Sequence, residues 1–375
     1  MNRLSPVHWT NLAMNFFDCH PKKTIFFLLL FFIVILESAV SQLAKQGMIS
    51  LPVHRTTREP VFMADHPVLG VWHLPNATYH QKLACKEATY RSNSYGARDK
   101  DRSQEGTGRR VALLGDSFVE GFGVEAPFRL GDVLEEETGV EFLNFGSGGD
   151  FGPVQEWLQY RDMVRPFQHS DVVLMFLPDN DFTDVDPAHF PKNKYRPYLR
   201  KTDGSFELYY TTEFNQKSDK SESIKIINNI ISNHFAIYNL VRESIKHAKK
   251  ASKAKKDPNF VPYDDFSDTN KEMVEEALKR LLELAADKKV TFFIIPRHRD
   301  LMAAVEGRLQ NKVLPFLDGL KKYHKNLEVY DLLPAYLADM KQAKHTVADY
   351  FLPCDGHWNE LGNHVAAMHV KEKLF

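Results

Sequence analysis

The chain has 375 residues, with 48 Lys and Arg against 49 Asp and Glu and a formal net charge of -1. That balance excludes a strongly basic nucleic-acid binder and an acidic disordered tail. Hydrophobic residues make up 43% and charged residues 26%, a globular composition with room for one large domain or two smaller ones. Three cysteines are too few for a disulfide scaffold, and no C-x-x-C pair marks a zinc site.

Residues 1–23 precede an apolar run, TIFFLLLFFIVIL, from Thr24 to Leu36. Lys22 and Lys23 stand before it and Glu37 follows. Continued through Val40, the run reaches about 17 residues, the lower edge for crossing a bilayer. A cleaved signal peptide would have a shorter basic leader and a clearer small-residue cleavage site than ESAVSQLA offers. The favoured reading is an uncleaved signal anchor over 24–41. A buried core helix fits poorly, because the run is apolar all round. Positive-inside logic puts the N-terminus in the cytoplasm and everything after about Gln42 outside. Cys19 is then cytoplasmic, while Cys85 and Cys354 share the oxidising side and form a candidate pair.

Residues 42–105 read as an irregular lead-in with short strands and a turn over Asn93–Gly96. The segment 106–375 then alternates two patterns. RRVALLGDS (109–117), EFLNFGSGG (141–149), DVVLMFLPDND (171–181), VTFFIIP (290–296) and NLEVYDL (326–332) are short apolar runs, the mark of buried parallel strands. Helical patterns over 127–138, 151–164, 270–288 and 302–324 lie between them, and another follows residue 360. Strands alternating with helices predict an α/β fold with a parallel sheet covered on both faces. An insertion over 190–265 breaks the alternation. It holds a hairpin pattern around Asp203-Gly204 and a long amphipathic segment ending in KHAKKASKAKK. That basic tail reads as a solvated helix end or as a contact for anionic lipid heads or an acidic polymer.

Three strands end in small polar groups: Gly115-Asp116-Ser117, Asn144 to Asp150, and Asn180-Asp181. Sites in open α/β sheets form at such carboxyl ends. Near the C-terminus stands Asp355-Gly356-His357-Trp358. Acyl transfer needs a serine nucleophile, an imidazole base, a carboxylate to orient it and N–H donors for the oxyanion. Ser117, His357 and Asp355 supply the first three. The backbone N–H groups of Ser117 and Gly149 and the Asn180 amide are candidate donors. Each has a plainer reading alone: a capped turn at Asp116, a glycine loop, a helix N-cap at Asn180, a structural histidine. Val119 spoils a G-x-S-x-G elbow, Phe151 spoils G-x-G-x-x-G, and no GK[ST] is present. No histidine spacing marks a metal site. Asp184 and Asp186 read as turn and cap residues, and Trp358 as packing. Arg297-His298-Arg299 reads as a solvated loop or as a cationic wall.

Taken together in this order, the four blocks resemble the SGNH hydrolases, or GDSL-type esterases. The resemblance covers roughly 88–182 and 288–375, and NSYGARD resembles extracytoplasmic members. It implies a three-layer α/β/α, flavodoxin-like fold. It implies Ser117 as nucleophile, Gly149 (five positions after Asn144, with Asp150 continuing the pattern) and Asn180 as oxyanion donors, and His357 as base. The chain departs from the common pattern at one place: Cys354 stands three residues before His357, and Asp355 only two. In an extended loop, positions two apart project to one side, so Asp355 remains the expected orienter. The expected function is a cofactor-free, metal-free serine esterase acting on O-acyl, above all O-acetyl, esters of small molecules or of envelope or secreted polysaccharide. Acyl transfer to a glycan with the same triad, and a non-catalytic glycan-binding or assembly module, are the alternatives.

Overall fold

The computed structural model describes residues 20–45, 62–83, 85–149, 151–190, 194–214, 231, 235–253 and 260–375. Cys19, Asp150 and most of residues 215–234 fall outside them. The described chain divides into two compact units. One contains helix α1 (Pro21–Lys45), of which Pro21–Leu43 is long and apolar enough to cross a membrane. Its other helix, Ala236–Lys253, packs on α1.

The larger unit opens with two antiparallel hairpins, β1 (Met63–His66) with β2 (Gly70–His73) and β3 (Thr78–Lys82) with β4 (Glu87–Arg91). Then follow β5 (Arg110–Gly115), a single-turn helix α2 (Ser117–Glu120), α3 (Leu130–Thr138), β6 (Glu141–Asn144), α4 (Pro153–Gln159), β7 (Asp171–Phe176) and α5 (Pro178–Asp184). A hairpin of β8 (Pro197–Thr202) and β9 (Ser205–Tyr210) turns on Asp203 and Gly204, at φ 50° and 82°. Two positive φ values in a two-residue loop are the type I′ geometry that Asp-Gly favours. In chain order the remaining elements are α6 (the Ala236–Lys253 helix), α7 (Asp268–Leu284), β10 (Lys289–Ile294), α8 (His298–Val305), α9 (Val313–Asp318), β11 (Leu327–Asp331), α10 (Leu333–Ala343) and α11 (Glu360–Leu374).

Five strands form one parallel sheet in the order β6-β5-β7-β10-β11. Every residue of β5 and β7 is buried, as expected of central parallel strands whose two faces are both covered. Helices α3, α10 and α11 pack among themselves, as do α4, α5 and α7. The architecture is the expected three-layer α/β/α. Numbered along the sheet, the order is 2-1-3-4-5, so the direction of winding reverses between β5 and β7. Open α/β sheets bind ligands at that switch point.

The single helix expected over 302–324 is broken. α8 stops at Val305, Gly307 and Asn311 take positive φ, and α9 begins at Val313. The left-handed backbone at 307 and 311 ends one helix before the next begins, although the apolar spacing continues. The pattern over 151–164 also changes, from α-helix to a π-turn over Tyr160–Val164.

Candidate active site

Ser117 follows β5 and opens α2. Asp116 caps that helix, its Oδ1 accepting from the backbone N–H of Phe118 at 2.9 Å. The cap exposes the serine at a strand end and leaves its own N–H in the first turn, where no intrahelical acceptor exists. Ser117 Oγ lies 2.7 Å from His357 Nε2. His357 Nδ1 bonds to Asp355 Oδ1. The side chains of His357 and Asp355 are 18% and 10% exposed, so the relay is largely shielded but open at one edge.

The segment carrying Asp355 and His357 is not the extended loop expected. It is a tight turn: the N–H groups of Asp355 and Gly356 donate to Leu352 O, and Leu352 N–H donates to His357 O at 2.7 Å. Gly356 sits at φ 89° between the two functional residues. The left-handed glycine folds the carboxylate back onto the imidazole, which an extended backbone would not do.

The other two blocks reach the serine by different routes. A Cβ placed on Gly148 would stand 3.8 Å from Ser117 Cβ, so the loop after β6 runs alongside the nucleophile. Gly149 adopts φ 87°, and a side chain there would meet Met63 at 3.1 Å. Asn180, in α5, donates from Nδ2 to Asp116 Oδ2 at 2.9 Å. One of its two amide hydrogens is thereby engaged.

No protein-family model matches the chain, and no curated protein does. Solved structures do. A member of the lipolytic G-D-S-L family from Veillonella parvula is 13% identical, with a TM-score of 0.39 over 71% of this chain and 98% of its own. A protein assigned to the same family from Desulfitobacterium hafniense is 12% identical, with a TM-score of 0.35 over 71% of this chain and all of its own. An acetyl xylan esterase from Butyrivibrio proteoclasticus is 10% identical, with a TM-score of 0.34 over 71% of this chain and 63% of its own.

Three supporting residues escaped the sequence reading. Glu120, one turn after Ser117, is buried, and its Oε2 accepts from the Gly148 N–H at 2.8 Å. Its Oε1 lies 3.1 Å from His73 Nε2, and His73 Nδ1 is 2.9 Å from Gly96 O. Burial alone would raise the Glu120 pKa. His73, Arg98 and the Gly148 N–H outweigh it and hold the carboxyl below its usual range. Arg98, of the NSYGARD stretch, is buried over the Tyr90 ring and donates to the carbonyls of Glu120, Gly121 and Val124. Burial pulls its pKa down to about 10. The signal available in sequence was one of position only: an acidic residue one turn past the serine and an arginine in a motif with no other task.

His357 has its own packing. The His357 ring contacts Phe122 and Phe118, with centroids 4.3 and 4.8 Å away. Trp358 is buried, edge-on to Phe118, and takes the packing role expected. Cys354 is joined to Cys85, so the turn is tied to the β3–β4 hairpin. Arg297 is neither a free loop residue nor an open wall. Its guanidinium lies over Phe118, 3.6 Å from Asp179, and 3.4 Å from where a Gly356 Cβ would be. His298 and Arg299 beside it are exposed. Asp186 caps a short 3-10 turn as expected, whereas Asp184 is buried 3.8 Å from Arg196. Asp184 is a buried ion-pair partner because α5 turns it inward.

Behind the site lie further buried carboxyls. Burial pushes Asp116, Glu156 and Asp181 above the ordinary range. For Glu156 and Asp181, neighbouring negative charges push further in the same direction. Both Glu156 oxygens are buried without hydrogen-bond partners among the described residues. Among those residues no group of His, Cys, Asp and Glu has the arrangement to hold a metal ion.

Proposed function

We infer that the chain is a membrane-anchored serine esterase of the SGNH type, working without a cofactor on the extracytoplasmic side. The observation that carries this reading is the continuous relay from Ser117 Oγ through His357 to Asp355 at the switch point of the sheet. Ser117 Oγ attacks the acyl carbonyl carbon as its proton passes to His357 Nε2. The N–H groups of Ser117 and Gly149 and the free amide hydrogen of Asn180 receive the oxyanion. Collapse expels the alcohol, protonated by His357, and leaves an acyl-Ser117. Water then attacks that ester and gives its proton to His357; the second tetrahedral intermediate collapses, His357 returns the proton to Ser117 Oγ, and the acid departs. Asp355 holds the ring so that Nε2 faces the serine, and it stabilises the imidazolium while Nε2 carries the proton.

The substrate class we assign is an O-acyl, chiefly O-acetyl, ester on envelope or secreted polysaccharide. The support is the placement: a chain held at the membrane by 24–41, with 42–105 as lead-in and 106–375 as catalytic domain, meets such polymers outside the cell. The test is p-nitrophenyl acetate turnover by the full chain in detergent, beside Ser117→Ala and His357→Ala. Activity in the wild type and its fall by about 10⁴-fold or more in both variants is expected. A folded wild type with no activity would overturn hydrolysis. Product analysis with a sugar acceptor would then decide between acyl transfer and binding alone.

A further inference from the structure

Among the described residues outside α1, large apolar side chains are exposed singly, with one exception. Phe235, Tyr238, Val241 and Ile245 are 46%, 39%, 51% and 50% exposed, at the start of and along α6. Their spacing of three, three and four residues places them on one stripe of the helix. A stripe of this size left to water is costly, and it marks a contact surface.

The fold identifies what it meets. The Glu37 carboxylate accepts from the backbone N–H groups of Ala236 and Ile237. Glu37 is the first charged residue after the apolar run of α1. The start of α6 is therefore fixed to α1 where the uncharged run ends and the candidate span enters its last two turns. Val40 is buried and Ser41 half-buried on the turn of α1 that follows. The span Pro21–Leu43 is roughly 34 Å long at 1.5 Å per residue, enough for a hydrocarbon layer of about 30 Å, so Glu37 and Val40 stand on its last two turns, near the headgroups. The sequence then adds Lys246, Lys249, Lys250, Lys253, Lys255 and Lys256, against Glu243 alone.

We propose that α6 is an interfacial helix that lies in the headgroup layer of an anionic bilayer, inserting Phe235, Tyr238, Val241 and Ile245 between the acyl chains. Its lysine-rich end pairs with acidic headgroups. The proposal rests on the anchor reading of α1 and is independent of the esterase chemistry.

The experiment uses the full chain with Cys19→Ser and a single added cysteine carrying an environment-sensitive fluorophore. Cys85 and Cys354 are already bonded to each other and do not label. Probes at Val241→Cys and Ile245→Cys are compared with one at the exposed Ser244→Cys, in vesicles of phosphatidylcholine with and without phosphatidylglycerol. The expected result is quenching by shallow nitroxide lipids at 241 and 245 at least about threefold stronger than at 244, and stronger with the anionic lipid. Equal quenching at all three sites would overturn the proposal. So would protection of 241 from aqueous iodide without lipid quenching, which would assign the stripe to protein, including a second copy. Flotation of the chain with vesicles after an alkaline wash reports α1 alone, so a failure of the anchor is seen separately.

Discussion

Ser117 and His357, the proposed nucleophile and base, are held by opposite means. Ser117 stands where a fully buried central strand becomes a capped helix, and Asp116, Glu120, Arg98 and Asn180 fix every turn of the backbone around it. His357 stands on a six-residue turn at the surface, held by a few backbone hydrogen bonds, two aromatic rings and one disulfide. The serine is placed by the fold, and the histidine is placed by local devices. Damage on the serine side should therefore cost folding as well as turnover. Damage on the histidine side should cost turnover first.

The largest effect should come from Asp355→Asn. Loss of the orienting carboxylate is expected to lower kcat by about 10⁴-fold while thermal unfolding stays within a few degrees of the wild type. Comparable turnover in this variant would remove Asp355 from the relay. Glu120→Ala tests the other side. It strands the Gly148 N–H and His73 in a dry interior, so urea unfolding should show a loss of about 3 kcal/mol alongside an activity loss of 10- to 100-fold. Stability unchanged in that variant would show that the nucleophile loop is not braced there.

Replacing Cys85 and Cys354 together by serine should loosen the turn without touching Ser117. A loss of about 2–4 kcal/mol on unfolding is expected. A several-fold fall in kcat, with KM little changed, should accompany it. A KM effect alone would place the bond in substrate binding instead.

The smallest effect concerns the buried carboxyls. Burial raises Glu156, Asp181 and Asp300, the last to about 7. Such groups hold more protons folded than unfolded once pH exceeds the ordinary carboxylate range, so stability falls as pH rises from about 4 toward neutrality and beyond. Carboxyls with lowered pKa, such as Glu120, are ionised in both states above about pH 6 and add no slope there, while nearer pH 4 they work in the opposite direction. Glu156→Gln should leave Tm unchanged near pH 4 and raise it by about 2–4 °C at pH 8. A Tm that does not respond to pH in either protein would refute the cluster's role.

Much of this was legible in the chain itself, because β5, β6, β7, β10 and β11 are short, mainly apolar runs bounded by charged or polar residues. Three of the four candidate blocks were legible because each ends such a run; the fourth, Asp355 to His357, follows no strand and was found by residue type alone. Glu120 and Arg98 were not, since their meaning lies in backbone groups far away in sequence that they satisfy. The geometry of Asp355 and His357 was misread because Gly356 takes a left-handed conformation that spacing alone does not reveal. The break after Val305 was hidden for a similar reason: apolar periodicity runs through Gly307 and Asn311 as if the helix continued.

The bond between Cys85 and Cys354 also bears on how the protein comes into being. Its partners are 269 residues apart, so it cannot close while the chain is still being made through its middle. The hairpin carrying Cys85 must wait until the turn of Asp355 and His357 has emerged. The bond thus closes late, and it is the one that ties down the turn of His357, the proposed proton acceptor.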